Sequence, residues 1–144
     1  MLRKQLMEFT EIMQGIERIY EDYAKSSGLT YMSFTVLSIL YHSDRKITQK
    51  EICAQCHYSK QIVNTIIKGF YEKQHISYEA VPEDKRNKYI VFTESGKQYA
   101  DEIMLPIIEI EEKAMSALSN KERMQMLEML DKCYGAYRAH FVVK

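Results

Sequence analysis

Apolar residues recur over the first 24 positions at alternating intervals of four and three, which is the spacing of one helix face. This stripe consists of Leu2, Leu6, Phe9, Met13, Ile16, Tyr20 and Tyr23. Ser26-Ser27-Gly28 predicts the end of the helix. A second helix is predicted to begin after Thr30, to turn the apolar residues between Val36 and Leu40 inward, and to end near His42.

Two helix N-caps are predicted in the middle of the chain. Thr48 and Glu51 have the spacing of a capping box, which predicts a short helix through about residue 55. After a three-residue turn, Ser59 is placed to cap a further helix over residues 60–74. Its apolar residues have core spacing and are Ile62, Val63, Ile66, Ile67 and Phe70.

The pattern then changes to short runs rich in β-branched and aromatic residues. Ile76–Val81 and Lys88–Phe92 flank the polar segment Pro82–Asn87, so we predict a β-hairpin with a long, charged tip. Thr93 is predicted to start a long helix over residues 94–117, which Pro106 should kink.

A second capping box, formed by Ser119 and Glu122, predicts a last helix that ends near residue 141. Its apolar stripe consists of Met124, Leu127, Leu130, Tyr134, Tyr137 and Phe141. A core built from about 90 intervening residues would struggle to cover both terminal stripes fully, so we expect a homodimer. The alternative is that both helices simply pack onto the domain.

The order of elements predicts a mainly α fold with a small β-hairpin wing, that is, a winged helix-turn-helix flanked by N- and C-terminal dimerisation helices. We expect a single domain over residues 1–144. Residues 1–28 and 118–144 would be the dimerisation helices, residues 30–93 the winged helix-turn-helix, and residues 94–117 the long connecting helix.

Composition limits the class of protein. The 144 residues include only five Gly and two Pro, which is unlike a long disordered chain. No apolar run approaches the roughly 18 residues of a membrane span. The N-terminal segment carries acids among its apolar residues, unlike a signal peptide, so we expect a cytoplasmic protein without a membrane partner.

Charge is unevenly distributed although the chain is neutral overall. Residues 45–88 contain nine Lys or Arg and five acids, whereas the remainder contains eleven basic and fifteen acidic residues. The middle of the chain is therefore at +4 and the rest at −4. A basic centre between acidic ends indicates a nucleic-acid partner.

The helix after Ser59 and the hairpin tip carry the side chains typical of DNA recognition. On the helix these residues are Ser59, Lys60, Gln61, Asn64, Thr65 and Lys68. At the tip, Lys85 and Arg86 would suit a narrow minor groove. Asp84 would orient the Arg86 guanidinium or cap the turn. The alternative for both elements is a solvated polar surface.

The segment ITQKEICAQCHYSKQIVNTIIKGFYEKQHI, followed by EDKRNKYIVFTESGKQYA, resembles the MarR family of bacterial winged-helix transcriptional regulators. The resemblance extends over essentially the whole chain. It implies an obligate homodimer that binds double-stranded palindromic operators, usually as a repressor, and that a small-molecule effector releases. It also implies DNA contacts at the eight helix and wing residues named above, with Asp84 supporting Arg86. His57 departs from the family, which often has Gly or another small residue in this turn.

The cysteines of the chain suggest two other functions. Cys53-Ala54-Gln55-Cys56-His57 matches the haem c attachment pattern, but that chemistry belongs to exported proteins, and an odd number of three cysteines favours reduced, packed thiols. A metal- or thiol-responsive sensor using Cys53, Cys56 and His57 remains the alternative function, although a second pair of zinc ligands is not visible. No catalytic motif is present, so we expect no enzyme and no cofactor.

The family resemblance places an effector pocket between the dimer helices and the winged domain. The candidate residues are Phe9, Met13, Tyr20, Tyr31, Phe34, Tyr41 and His42. Eleven Tyr and nine Met would give an aromatic and adaptable interior. The alternative is that these residues are simply part of such a core.

Overall fold

The computed structural model describes residues 1–142, which contain six helices and three strands. The helices and the hairpin follow in the predicted order, with one additional short strand between the second and third helices. The helices are α1 (Leu2–Ser26), α2 (Tyr31–His42), α3 (Gln49–Cys56), α4 (Lys60–Glu72), α5 (Glu94–Met115) and α6 (Asn120–His140). The strands are β1 (Ile47–Thr48), β2 (Ile76–Val81) and β3 (Asp84–Phe92). The predicted mainly α fold with a small β wing is confirmed.

The helices begin where the sequence places their caps. The hydroxyls of Thr30 and Ser59 each accept a hydrogen bond from a backbone N–H three residues ahead. Thr48–Glu51 and Ser119–Glu122 both form complete capping boxes. Each such cap stabilises its helix by about 1 kcal/mol, so these four starts are fixed locally.

Residues 1–104 and the residues from 105 onward form two compact units. The first unit holds the winged helix-turn-helix, whose fully buried side chains include Leu37, Ile52, Ile67 and Ile90. The second begins within α5, and α5 runs without interruption from Glu94 to Met115 with Pro106 inside it. The predicted kink at this proline remains a prediction.

The strands form an antiparallel sheet in the order β1-β3-β2, and it corrects the predicted hairpin. β3 begins at Asp84 rather than Lys88, so the turn contains only two residues. Ala80 pairs with Lys88, but Val81 pairs with Asp84, so the intervening residues 85–87 form a bulge with no counterpart on β2. β1 was not predicted because two residues are too few to show a periodic pattern.

The helix ends also differ slightly from the predicted positions, since α4 stops at Glu72 rather than residue 74 and α5 at Met115 rather than residue 117. Helix ends depend on the following turn. After α4, Gln74 takes a positive φ of 61° and starts the chain toward β2.

His57 ends α3 in the left-handed conformation, with φ 59° and ψ 19°. Its backbone N–H donates to the carbonyl of Cys53 at 3.0 Å, which closes the last turn of the helix. A side chain with a Cβ is strained in this region by roughly 1–2 kcal/mol, whereas Gly is not. The departure of His57 from the family therefore falls at a position where Gly would be favoured.

We expect His57→Gly to raise the free energy of unfolding by about 0.5–1 kcal/mol, because relief of backbone strain exceeds the extra entropy of the unfolded glycine. Thermal denaturation followed by circular dichroism measures the change. Ala54→Gly, three residues earlier on the exposed side of α3, should instead lower stability by about 1 kcal/mol. A lower melting temperature for His57→Gly would contradict the strain argument.

His75 occupies the turn between α4 and β2 with its ring stacked on Tyr99 of α5. The ring centroids lie 4.0 Å apart and the planes differ by 5°. Its Nδ1 is buried without a hydrogen-bond partner. Burial, with a smaller contribution from the positive charge of Lys73, lowers the pKa of His75 below its ordinary value. The imidazole is thus harder to protonate in the folded chain than in the unfolded chain.

Stability should therefore fall as the pH drops below about 6.5, since the unfolded chain then binds a proton at His75 that the folded chain resists. Urea denaturation at about pH 7.5 and about pH 5.5 tests this linkage. His75→Phe keeps an aromatic ring against Tyr99 without a titratable group, so it should lose less stability on acidification. Equal losses in the two proteins would exclude His75 as the source.

Candidate nucleic-acid interface

A groove of about 580 Å³, which we call the basic groove, opens between the helix-turn-helix and the wing. Its lining comes from α3, α4, β2 and β3 and comprises Gln49, Lys50, Cys53, Lys60, Asn64, Tyr78, Arg86, Asn87, Lys88 and Ile90. Four of these residues are cationic, and none of these ten is a carboxylate. Four of the nine cations that the sequence places within residues 45–88 thus line one groove of the first unit.

Helix α4 presents its predicted DNA-binding residues to solvent while its opposite face is anchored in the core. Val63, Ile67 and Phe70 are buried. The six predicted residues from Ser59 to Lys68 are all exposed. Of them, Lys60 and Asn64 line the basic groove, whereas Gln61, Thr65 and Lys68 lie elsewhere on the exposed surface of α4.

Two hydroxyls of this set already have local partners. The Ser59 Oγ accepts the backbone N–H of Ile62 as the helix cap. The Thr65 hydroxyl donates to the carbonyl of Gln61 at 3.0 Å. A DNA contact from either hydroxyl would have to be shared with the helix backbone or replace that bond.

In the wing, Asp84 supports the backbone of the tip rather than the Arg86 side chain. Its Oδ1 accepts the Arg86 N–H at 3.0 Å, and its Oδ2 accepts the Asn87 side-chain amide at 2.7 Å. These bonds, that to Asn87 most of all, lower the pKa of Asp84. Of the two roles predicted for Asp84, the geometry corresponds to capping of the turn. Arg86 itself lines the basic groove, and Lys85 is exposed beside it.

Several residues of the basic groove were missed by sequence reasoning. Gln49 and Lys50 enter it from the first turn of α3, and Tyr78 and Lys88 enter it from the hairpin. The Gln49 amide nitrogen lies 3.5 Å from the Asn64 Oδ1, which links the two helices of the motif. The capping box at Thr48 indicated where α3 starts, but not that its first turn would lie beside α4.

The start of α3 is further held by an ion pair. The Arg45 guanidinium lies 2.9 Å from the Glu51 carboxylate. Hydrogen bonds from Arg45 and from the Thr48 backbone lower the pKa of Glu51, which therefore stays ionised within its capping box. The pair is largely exposed, so its own contribution to stability is small. The capping box of Thr48 and Glu51, rather than the ion pair, therefore accounts for most of the stability of the first turn of α3.

The cysteines give the sensor hypothesis little support. Cys53 lines the basic groove and Cys56 is half-buried, with its Sγ 3.8 Å from the Cys53 carbonyl. Burial, with a smaller effect of Cys56, raises the pKa of the Cys53 thiol, which disfavours the reactive thiolate. Across residues 1–142, no three His, Cys, Asp or Glu side chains are grouped so that they could hold a metal ion.

The structure divides the candidate effector residues into separate groups. Tyr20 and the buried Phe34 are in ring contact, with centroids 6.4 Å apart. At the other end of α2, the Tyr41 hydroxyl donates to Asp101 at 2.7 Å, and His42 lines a different cavity of about 350 Å³. Of the others, Tyr31 begins α2, while Phe9 and Met13 lie in the N-terminal half of α1. The set therefore remains a prediction.

A helix-turn-helix whose second helix and adjoining β-hairpin border one basic groove defines a winged helix-turn-helix protein. The sequence profile of the MarR family matches residues 27–87. Solved MarR structures share the fold over nearly the whole chain. The chain thus has the fold of MarR family regulators, and its residues 27–87 match the sequence profile of that family.

The solved structures similar to this chain include NMB1585, a MarR family regulator from Neisseria meningitidis, with a TM-score of 0.80, 23% identity and 94% of each chain covered. Another is the Staphylococcus aureus MepR-DNA complex, with a TM-score of 0.70, 23% identity, and 90% of this chain and 95% of that one covered.

The HTH-type transcriptional regulator SarZ of Staphylococcus epidermidis is 30% identical over 78 residues. That match covers 54% of this chain and 52% of SarZ, so it spans about half the length of each protein. Within residues 1–142, no helix is long and apolar enough to cross a bilayer.

Proposed function

We propose that this protein is a DNA-binding transcriptional regulator of the MarR type, acting as a homodimeric repressor of a palindromic operator that a small-molecule effector releases. The observation that carries the proposal is the basic groove, which brings Lys60 and Asn64 of α4 together with Arg86 of the wing. Cations supply affinity for phosphates, and an exposed amide at the recognition helix can read a base edge.

The relatives support the same assignment. SarZ is named as a transcriptional regulator, and MepR of similar fold has been solved in complex with DNA. In the arrangement we propose, α4 enters the major groove and the wing reaches the adjacent minor groove. We place the protein in the cytoplasm, where it would meet the chromosome, and we propose no catalytic activity.

The apolar stripes of the terminal helices support a dimer. On α1, Leu6, Met13 and Ile16 are each almost half exposed. On α6, Leu127 and Tyr134 are more than half exposed. Exposed apolar surface on this scale marks an interface in a folded domain. A two-fold dimer would place its two α4 helices on successive half-sites about one helical turn apart.

The test is selection of genomic fragments by purified protein, followed by titration of the selected duplex and a scrambled duplex at several salt concentrations. We expect a selected sequence with two-fold symmetry, bound more tightly than the scrambled duplex. Arg86→Ala should weaken binding to both duplexes and make the salt dependence less steep, because a phosphate-neutralising cation is lost.

Lys113→Ala removes an exposed cation that does not line the basic groove and should leave both measurements unchanged. Sedimentation equilibrium of the same samples should give a dimer. If wild-type protein binds neither duplex at low salt, the proposed function is wrong. Equal affinity and equal salt slope for Arg86→Ala would instead exclude the wing from the interface.

A further inference from the structure

We propose that Tyr78 is a DNA-binding residue that holds, through its phenol, a phosphate of the backbone strand passing between the recognition helix and the wing. This inference rests on the proposed function and extends it to a residue on the hairpin. It assigns a role to an exposed aromatic side chain that lies among the cations of the basic groove.

The path of the backbone follows from duplex geometry. The major groove and its neighbouring minor groove are separated by one sugar-phosphate strand. If α4 occupies one groove and the wing the other, that strand must pass between α4 and the hairpin. The basic groove is the space between them, and Lys50, Lys60, Arg86 and Lys88 surround it with positive charge.

Tyr78 borders this space from β2, where it pairs in register with Ile90 of β3. Its side chain is 43% exposed, so it is free to meet a ligand. A phenol is a donor suited to a phosphate oxygen, and Tyr is among the side chains that contact the DNA backbone. A tyrosine hydroxyl is protonated at neutral pH at its ordinary pKa, and partial burial raises the pKa of Tyr78 further, so the hydroxyl can donate.

The ring of Tyr71 contacts the ring of Tyr78. It lies in the last turn of α4, and its ring centroid is 5.0 Å from that of Tyr78 with a tilt of 38°. The contact joins the recognition helix to the hairpin. A ring held before binding loses little conformational entropy when it meets the phosphate, so its single hydrogen bond can contribute measurably to affinity.

The test compares wild-type protein with Tyr78→Phe, which keeps the ring contact with Tyr71 and removes only the hydroxyl. We expect about a tenfold loss of affinity, equal for selected and scrambled duplexes, because a hydrogen bond to a charged group is lost. The salt slope should not change, since no cation is removed. Tyr71→Phe is the matched control and should bind like wild type.

Duplexes carrying one neutral methylphosphonate at successive backbone positions then identify the contact. At one position per half-site, the methylphosphonate should lower the affinity of wild-type protein but should have little further effect on the affinity of Tyr78→Phe. Wild-type affinity in Tyr78→Phe would overturn the inference while leaving the proposed function intact. A loss confined to the selected duplex would also overturn it, in favour of a base contact. Failure of wild-type protein to bind any duplex would overturn both.

Discussion

Replacing all four cations of the basic groove by glutamine is expected to lower affinity for double-stranded DNA by roughly 10²–10⁴-fold at about 0.15 M salt. The variant is Lys50→Gln/Lys60→Gln/Arg86→Gln/Lys88→Gln. Each cation that neutralises a phosphate releases condensed counterions. The slope of log affinity against log salt concentration should therefore become less steep by about 3–4 per bound protomer. Fluorescence anisotropy of a labelled duplex at several salt concentrations measures both quantities.

A control with the same change in net charge separates local contacts from the overall field. Lys25→Gln/Lys73→Gln/Lys113→Gln/Lys121→Gln removes four exposed cations, none of which lines the basic groove. We expect this control to keep most of the salt slope. Thermal denaturation should show that both variants remain folded. Equal losses in the two quadruple variants would mean that the groove is not the DNA-binding surface.

Gly96→Ala is expected to destabilise the folded chain by about 3 kcal/mol or more, beyond most single overpacking substitutions. A Cβ built at Gly96 would lie 1.7 Å from the His75 carbonyl oxygen and 2.5 Å from its carbon. Two hydrogen bonds hold this close approach. The Thr93 N–H donates to the same carbonyl oxygen of His75 at 3.0 Å, and the Thr93 hydroxyl donates to the backbone carbonyl of Gln74 at 2.6 Å. The start of α5 cannot move away from His75 without breaking these hydrogen bonds.

Urea denaturation monitored by circular dichroism measures the effect, with the yield of folded protein as a second readout. Gly69→Ala is the matched control, because a Cβ at this helical position of α4 meets no atom within 4 Å. It should raise stability by about 0.5–1 kcal/mol through the better helix propensity of alanine. If Gly96→Ala were as stable as wild type, the junction of α5 with the His75 turn would be far more adaptable than its contacts indicate.

Helix starts could be predicted from the sequence because their determinants are local. A hydroxyl at the cap and a carboxylate three residues later form the same hydrogen bonds wherever the helix lies, as Thr48–Glu51 and Ser119–Glu122 do. The apolar faces of α1 and α4 could also be predicted from local sequence, because side chains three and four positions apart lie on one side of a helix.

The hairpin tip was less predictable, because its geometry depends on register. Val81 pairs with Asp84 while Ala80 pairs with Lys88, and this shift creates the bulge that carries Lys85 and Arg86. No local pattern distinguishes such a bulge from a six-residue loop of the same composition. β1 exists because Ile47 and Thr48 pair with Ile90 and Tyr89, about 40 residues away.

The candidate DNA interface was likewise predicted only in part from the sequence. Lys60, Asn64 and Arg86 could be named from residue type and from the resemblance to a family. Tyr78 and Lys88 could not, because their place in the basic groove depends on how β2 and β3 pack beside α4. Nor does the sequence show that Asp84 bonds to the backbone of Arg86 rather than to its guanidinium.

By itself, the sequence determined the helices, their caps, the apolar stripes of the terminal helices, the basic middle of the chain and the resemblance to a family. Only the tertiary structure decided the composition of the basic groove, the contact between Tyr71 and Tyr78, and the close approach of Gly96 to His75. The reason is the distance along the chain between the residues that interact. Hydrogen bonds and periodicity within one turn are encoded by neighbouring residues, whereas a surface shared by α3, α4 and the hairpin exists only after distant segments pack together.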